Sequence, residues 1–143
     1  MTNCDGTLGG FDSRLFNVPK KNIEKAIDTL HQKNTELWIP EKWEEYNTWK
    51  QRGYDFLYSR IFYFKSEPEE MYYVTFVSDG NENQERNGPT ILAIRSVFTK
   101  KHNNWLLIDD FEITEKERIE KRFEVEIVLK LEKYSKTKAL RIN

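Results

Sequence analysis

The sequence has very little cysteine and histidine. Cys4 is the only cysteine among 143 residues, so no intrachain disulfide can form. The two histidines, His31 and His102, share no metal-ligand spacing, which argues against a zinc site. Because Cys4 stands on a predicted tether, a cysteine–histidine nucleophilic pair is not expected either. The sequence therefore predicts no metal and no other cofactor.

The chain also lacks an excess of charge of either sign. Its 23 basic and 24 acidic side chains give a formal net charge of −1. Such a chain has no long-range field that would attract phosphate backbones or anionic lipid, so we expect no binding to nucleic acid. No apolar run approaches the roughly 18 residues that span a bilayer, and the first residues lack the basic and apolar regions of a signal peptide.

Aromatic residues, in contrast, are abundant. They make up 14% of the chain, and they can supply a core despite a charged fraction of 33% and a mean hydropathy of −0.80. A chain of this length is suited to one domain. We expect residues 1–10 to be a flexible, glycine-rich tether, residues 11–135 to be the domain, and residues 136–143 to be a frayed tail.

Four segments of alternating character lie between residues 54 and 110. Their bounds are 54–65, 71–78, 90–99 and 104–110, and polar connections join them. Alternation of this kind, interrupted by turn residues, predicts a four-stranded antiparallel sheet in meander order. Residues 11–16 are a candidate edge strand.

Helical patterns flank these segments on both sides. Pro19 suits the first position of a helix that runs to about Lys33. A second, short helix is predicted before Gly53, with Trp43, Tyr46 and Trp49 on one face. The tryptophans of this region, which include Trp38 and Trp49, are expected to build a small additional core, although an exposed aromatic patch is the alternative.

The longest predicted helix lies near the C-terminus. Thr114 and Glu117 have the spacing of a capping box, and about 20 helical residues follow. Side chains spaced by three or four residues form an apolar ridge, and further apolar residues widen it. The ridge comprises Ile119, Phe123, Ile127, Leu131 and Tyr134, and the widening residues are Val125, Val128 and Leu129. The predicted fold class is α+β, with one or two N-terminal helices and this C-terminal helix packed on the sheet.

One face of the predicted sheet combines arginine with tyrosine. Tyr54, Tyr58 and Arg60 share a face of the first strand, and Tyr72 and Arg95 lie on neighbouring strands. Arginine among tyrosines offers cation–π and hydrogen-bonding groups for a peptide, a glycan or a small ligand. Because the C-terminal helix can cover only one side of the sheet, these residues are candidates for an open ligand-binding face. The alternative is that the N-terminal helices cover that face.

A pair of carboxylates stands at the end of the fourth predicted strand. Asp109 and Asp110, with Glu112 close by, could hold a hard cation or act as acid and base. The glycine-bearing spacing of a calcium loop is missing. The alternative is a solvated connection whose charge suits the start of the following helix.

The residues around Cys4 carry a resemblance to a known class of protein. The stretch Thr2-Asn3-Cys4-Asp5-Gly6 resembles the cleavage region of a bacterial lipoprotein. The chain as a whole also resembles the small, charged, aromatic-rich envelope lipoproteins of Gram-negative bacteria. This resemblance implies that Cys4 becomes the acylated first residue of the mature protein, which a lipid anchor then holds at the periplasmic side or surface of the envelope.

Three functional hypotheses follow. The leading one is a noncatalytic binding or structural module of a bacterial cell envelope, tethered through Cys4, whose partner is a protein, a peptide or a glycan. The second is a cytoplasmic adaptor or inhibitor that binds a protein. The third is a small hydrolase that uses Asp109 or Asp110. The sequence contains no catalytic set that would favour an enzyme, and a membrane partner is expected only through the lipid anchor.

Overall fold

The computed structural model describes residues 11–47, 59–77 and 87–142. Within these residues, six strands form one sheet and the long helices lie on one side of it, so the predicted α+β class is confirmed. The predicted tether with Cys4 lies outside the described residues. The strands are β1 (Ser13–Phe16), β2 (Ser59–Phe64), β3 (Glu70–Val77), β4 (Thr90–Thr99), β5 (Asn104–Leu106) and β6 (Ala139–Ile142).

The order of the strands is β2-β3-β4-β1-β6, and every neighbouring pair is antiparallel. The last part of β4 pairs with β5, so β2 to β5 follow one another as the predicted meander. The first part of β4 pairs with β1. The prediction of an edge strand in residues 11–16 is therefore correct about the strand and wrong about its position, because β6 lies along its other side.

The segment that forms β6 was predicted to be part of a frayed tail, and for residues 139–142 this prediction is wrong. Lys136, at φ 59°, adopts the left-handed conformation that ends the preceding helix and turns the chain. The Glu132 carboxylate then accepts a hydrogen bond from the Ala139 N–H at 2.7 Å. Arg141 pairs with Asp12 at 2.8 Å. These contacts hold a short, charged segment against β1.

Helix α1 (Lys20–Lys33) begins one residue later than the sequence predicts, because Pro19 is its N-cap, and it ends at the predicted Lys33. Its apolar side packs in the main core, and α1 lies beside residues 129–135 of the C-terminal helix. The buried residues of α1 are Ile23, Ala26, Ile27, Leu30 and His31. Two turns of 3-10 helix follow, at Thr35–Leu37 and Glu41–Tyr46. Over residues 41–46 the second of these stands where a short α-helix was predicted, since so short a segment is marginal as an α-helix, and the rest of that predicted helix lies outside the described residues.

The C-terminal helix spans residues 113–135 and has three parts. These are α2 (Ile113–Phe123), a π-helical segment (Glu124–Val128) and α3 (Leu129–Ser135). The first helical hydrogen bond runs from the Lys116 N–H to the Glu112 carbonyl, at 2.9 Å. Glu112 is thus the N-cap and Thr114 lies inside the first turn, so the predicted capping box is wrong.

The π-helical segment explains how the predicted ridge stays on one face. Of the five ridge residues, Ile119, Phe123, Ile127 and Leu131 are buried, as predicted, and Tyr134 is partly buried against the same core. In an α-helix four residues turn about 400°, which is about 40° more than one full turn. Three such steps would therefore rotate the ridge by about 120° and carry it out of the core. The wider π-helical turn holds about one residue more than an α-helical turn, and this offsets most of that rotation. Val125 and Leu129 point to solvent instead of widening the apolar face, which corrects that part of the prediction.

Deleting Val125 should therefore be tolerated. The deletion changes the spacing from Phe123 to Ile127 from four residues to three, which an unbroken α-helix accommodates on the same face. We expect the free energy of unfolding to fall by about 1 kcal/mol or less, measured by urea denaturation, because an exposed residue is lost. Inserting an alanine after Val125 is the control, since it turns the following ridge by about 100° and should unfold the domain. Unfolding by the deletion would contradict this account.

Candidate functional site

The structure places Arg60, a predicted ligand residue, under the helices. Arg60 is buried on the helix-facing side of β2 and forms an ion pair with Glu24 of α1, with Nη2 and Oε2 separated by 3.5 Å. Its guanidinium also lies over the Phe76 ring, 5.7 Å from the centroid. Burial lowers the pKa of Arg60, although the Glu24 carboxylate acts in the opposite direction. Arg60 therefore does not line an open face.

Tyr72 is fully buried on the same side of the sheet. Its hydroxyl donates a hydrogen bond to the Glu70 carboxylate at 2.7 Å, and burial together with that negative charge raises the pKa of the phenol. Arg95 is half-buried and is the extra residue of a β-bulge, where the pairing of β3 with β4 shifts between Tyr73 and Val74. The predicted face is thus covered by α1 at Arg60, as the alternative interpretation held, whereas at Tyr72 the C-terminal helix covers it.

Tyr54 and Tyr58, the other two predicted ligand residues, lie outside the described residues, and so does Trp49. Trp43 is buried in a second core on the outer face of the sheet, opposite the long helices, as predicted. The indole N–H of Trp105 donates to the Tyr46 carbonyl at 2.7 Å and holds the segment that covers this core. Trp38 is half exposed and belongs to neither the main core nor this second core.

Glu70 is a fully buried carboxylate between the sheet and the C-terminal helix. Arg118 contacts both of its oxygens, at 2.9 and 3.1 Å, and Arg122 donates to one of them at 2.9 Å. The Tyr72 hydroxyl completes what we call the Glu70 cluster. Burial alone would lower the pKa of Arg118, but hydrogen bonds to Glu70 and Glu115 raise it above its usual value. Charge-assisted, two-pronged contacts of this kind fix the helix on β3.

The Glu70 cluster also reaches the turn between β2 and β3. Arg122 donates to the carbonyls of Pro68 at 2.9 Å and Ser66 at 3.2 Å, and its guanidinium lies 5.0 Å from the centroid of the Phe64 ring. Sequence analysis missed this cluster because the alternating charges of the helix are typical of a solvated face. The available signal was two arginines four residues apart, at the spacing that puts both on one side of a helix.

A second buried ion pair joins β1 to the C-terminal helix. Arg14 is almost fully buried, and its guanidinium lies 2.9 Å from Glu120 and 3.3 Å from Glu124. The same group sits over the Phe123 ring, 5.5 Å from the centroid. Glu120 also accepts the backbone N–H of Asp12 at 2.8 Å. Glu120 neutralises the buried Arg14 and Glu124 pairs with it from a partly exposed position, so the evident role of these contacts is to hold β1 in place.

On the outer face of the sheet, four apolar side chains form a row across four strands. Leu15 on β1 stands opposite Leu140 on one side and Ile91 on the other, and Ile91 stands opposite Val77. We call these four residues the outer row. Leu140 is 62% exposed and the other three are partly buried. Phe16 and Leu92, which directly follow Leu15 and Ile91, point into the main core under the helices. Because side chains alternate along a strand, the outer row points away from the helices.

Asp109 and Asp110 lie in a 3-10 helix (Ile108–Asp110), and both are exposed. One oxygen of Asp110 accepts the Leu107 N–H at 2.8 Å, so this carboxylate caps the turn. No group of three or more potential metal ligands occurs within residues 11–47, 59–77 and 87–142. None of the helices described is long and apolar enough to cross a bilayer.

Comparisons of the chain with protein-family models, with curated proteins and with solved structures found no significant match.

Proposed function

We propose that the protein is a noncatalytic binding or structural module of a bacterial cell envelope, anchored in a membrane through an acylated Cys4. The anchor rests on the resemblance of residues 2–6 to a lipoprotein cleavage region. It is supported by the way in which the chain enters the sheet. Phe11 is fully buried, and its N–H donates to the Ile94 carbonyl at 3.0 Å. A chain that enters the sheet at a firmly held interior strand suits a module that is anchored through the residues before that strand.

The outer row is the observation that carries the binding role. It places apolar side chains on the sheet face opposite the helices, with Leu140 largely exposed beside the partly buried Leu15. Apolar side chains that remain accessible in an ordered sheet suit contact with a partner. The partner that the sequence predicts is a protein, a peptide or a glycan. The buried charges support a noncatalytic role, because each is already paired. Arg118 and Arg122 pair with Glu70, and Arg14 pairs with Glu120.

Replacing Cys4 by serine tests the anchor. We expect the product of the intact gene, expressed in a Gram-negative host with labelled palmitate, to carry the label and to sediment with the membranes. The Cys4→Ser variant should be unlabelled, since serine has no thiol to form the thioether. A Leu140→Ser variant is the control and should keep the label. An unlabelled, soluble wild-type protein would favour the cytoplasmic adaptor or inhibitor.

The same cells test the outer row. A photoreactive residue in place of Leu140 should form an adduct with the partner, whereas the same residue in place of the exposed Lys25 on α1 should not. Mass spectrometry of the adduct then tells a protein or peptide from a glycan. Equal labelling at both positions, or none at either, would remove the outer row as the binding surface.

A further inference from the structure

His31 is a buried histidine in the last turn of α1, only 4% exposed. One ring nitrogen is hydrogen-bonded to the backbone of Ile27, one turn earlier. The other, Nε2, is buried and has no hydrogen-bond partner among the described residues. A neutral imidazole fits this arrangement, with its N–H on the Ile27 carbonyl and its lone pair at Nε2. A protonated ring would need an acceptor where none is placed.

The ring of His31 lies between two other aromatic rings. Phe62 stacks on it from the core, with centroids 5.1 Å apart and an interplanar angle of 4°. Trp38 stacks on the opposite face, with centroids 4.2 Å apart and an angle of 27°. Trp38 is itself 53% exposed, so its indole separates His31 from solvent. Trp38 directly follows the 3-10 helix Thr35–Leu37 and is held by one backbone hydrogen bond, to Thr35 at 3.1 Å.

Burial opposes the protonation of His31 and outweighs the effect of the nearby charges. Arg60, on β2, disfavours a second cation, whereas Asp28, on α1, favours it. Burial lowers the pKa of His31 more than the hydrogen bond to Ile27 and the charge of Asp28 raise it. The negative charge nearest to Arg60 is Glu24, which is already paired with it.

The other elements packed near His31 bring further titratable groups. Glu36 on the 3-10 helix is exposed. On the C-terminal helix, Lys130 bonds the Asn34 side chain at 3.4 Å, and Tyr134 packs against the main core. The pKa of His31 is set by burial and Arg60, which lower it, and by the hydrogen bond to Ile27 and the charge of Asp28, which raise it. A proton on Nε2 therefore finds no acceptor among the described residues while the site is closed, and water would have to supply one.

We propose that His31 and Trp38 form an acid-sensitive latch, in which Trp38 closes over neutral His31 and protonation of His31 releases it. Release would free the segment that follows α1, and it would expose the buried Leu37 of that segment together with the part of the core on which Leu37 packs. The device is independent of the anchor and of the outer row. It would make an apolar surface of the module available below about pH 6.5, where an accessible imidazole takes up a proton.

Hydrogen exchange of the Leu37 and Trp38 amides tests the latch. Corrected for the intrinsic pH dependence, exchange should become about tenfold faster between pH 7.5 and pH 5.5, because the open state binds a proton that the closed state excludes. His31→Phe keeps an aromatic ring between Trp38 and Phe62 but cannot titrate, so its corrected rate should stay constant. His102→Gln is the control, since His102 is exposed and should leave the acceleration intact.

Two further measurements keep the test decisive. The ring resonances of His31 in the wild-type protein should titrate below pH 6.5, and Trp38→Ala should move that midpoint toward the ordinary value. Both measurements can be made even if the His31→Phe variant does not fold. Acceleration that persists in a folded His31→Phe variant would overturn the latch. A His31 midpoint that Trp38→Ala leaves unchanged would overturn it as well.

Discussion

Replacing Glu70 by alanine is expected to cost about 3–5 kcal/mol of stability, the range found when one partner of a buried ion pair is removed. Glu70 is fully buried and accepts hydrogen bonds from Arg118, Arg122 and Tyr72. Without it, the two guanidinium groups face each other with no anion between them. Urea denaturation at neutral pH, with the slope held common to the variants, measures this loss.

Two matched variants separate charge from shape in the Glu70 cluster. Glu70→Gln keeps the volume and an acceptor oxygen, so it isolates the lost charge and should be less damaging than Glu70→Ala. Glu115 pairs with the same Arg118 at 3.0 Å, but its side chain is 48% exposed. Solvent screens that pair, so Glu115→Gln should cost about 1 kcal/mol or less. Equal losses at positions 70 and 115 would show that burial does not set the strength of the cluster.

Replacing Phe123 by alanine is the second large effect that we expect. Phe123 is fully buried in the ridge of the C-terminal helix and supports the Arg14 guanidinium on its ring. Truncation leaves a cavity in a packed core and should cost about 3–5 kcal/mol. At this chain length such a loss corresponds to a fall in Tm of roughly 10 °C, which calorimetry measures.

The neighbouring Val125 supplies the control for Phe123. Val125 lies on the same helix, but it is exposed and outside the ridge, so Val125→Ala should change the stability by about 0.5 kcal/mol or less. Phe123→Leu fills most of the cavity and should fall between the two alanine variants. Similar losses at positions 123 and 125 would contradict the placement of the ridge.

Local patterns predicted the parts of the fold in which near neighbours in sequence share an environment. The bounds of α1 and β4 agree with the predicted 19–33 and 90–99 to within one residue. β3 is also close to its predicted bounds, and the ridge from Ile119 to Leu131 is buried as predicted. In these elements the spacing of apolar residues repeats with the period of a helix or a strand, so a few consecutive turns carry the signal.

The candidate site was harder to predict than the fold. The polar groups of Arg60 and Tyr72 recur at every second residue, as they would on an exposed face of a sheet. In the structure the helices cover that face. The outer row was not anticipated, because it requires β1 between β4 and β6. Its members Leu15 and Leu140 are more than a hundred residues apart in sequence, and only the register of the strands makes them neighbours. No local spacing records such a pairing.

The sequence by itself determined the α+β class, the meander and the amphipathic C-terminal helix, because each depends on a periodicity that can be read along the chain. Only the tertiary structure decided that β6 joins the sheet, that Glu70 and Arg14 are buried with their partners, and that His31 lies beneath Trp38. The physical reason is that a charge or an imidazole has the same sequence signature in water and in a core. Its environment comes from distant segments that fold over it.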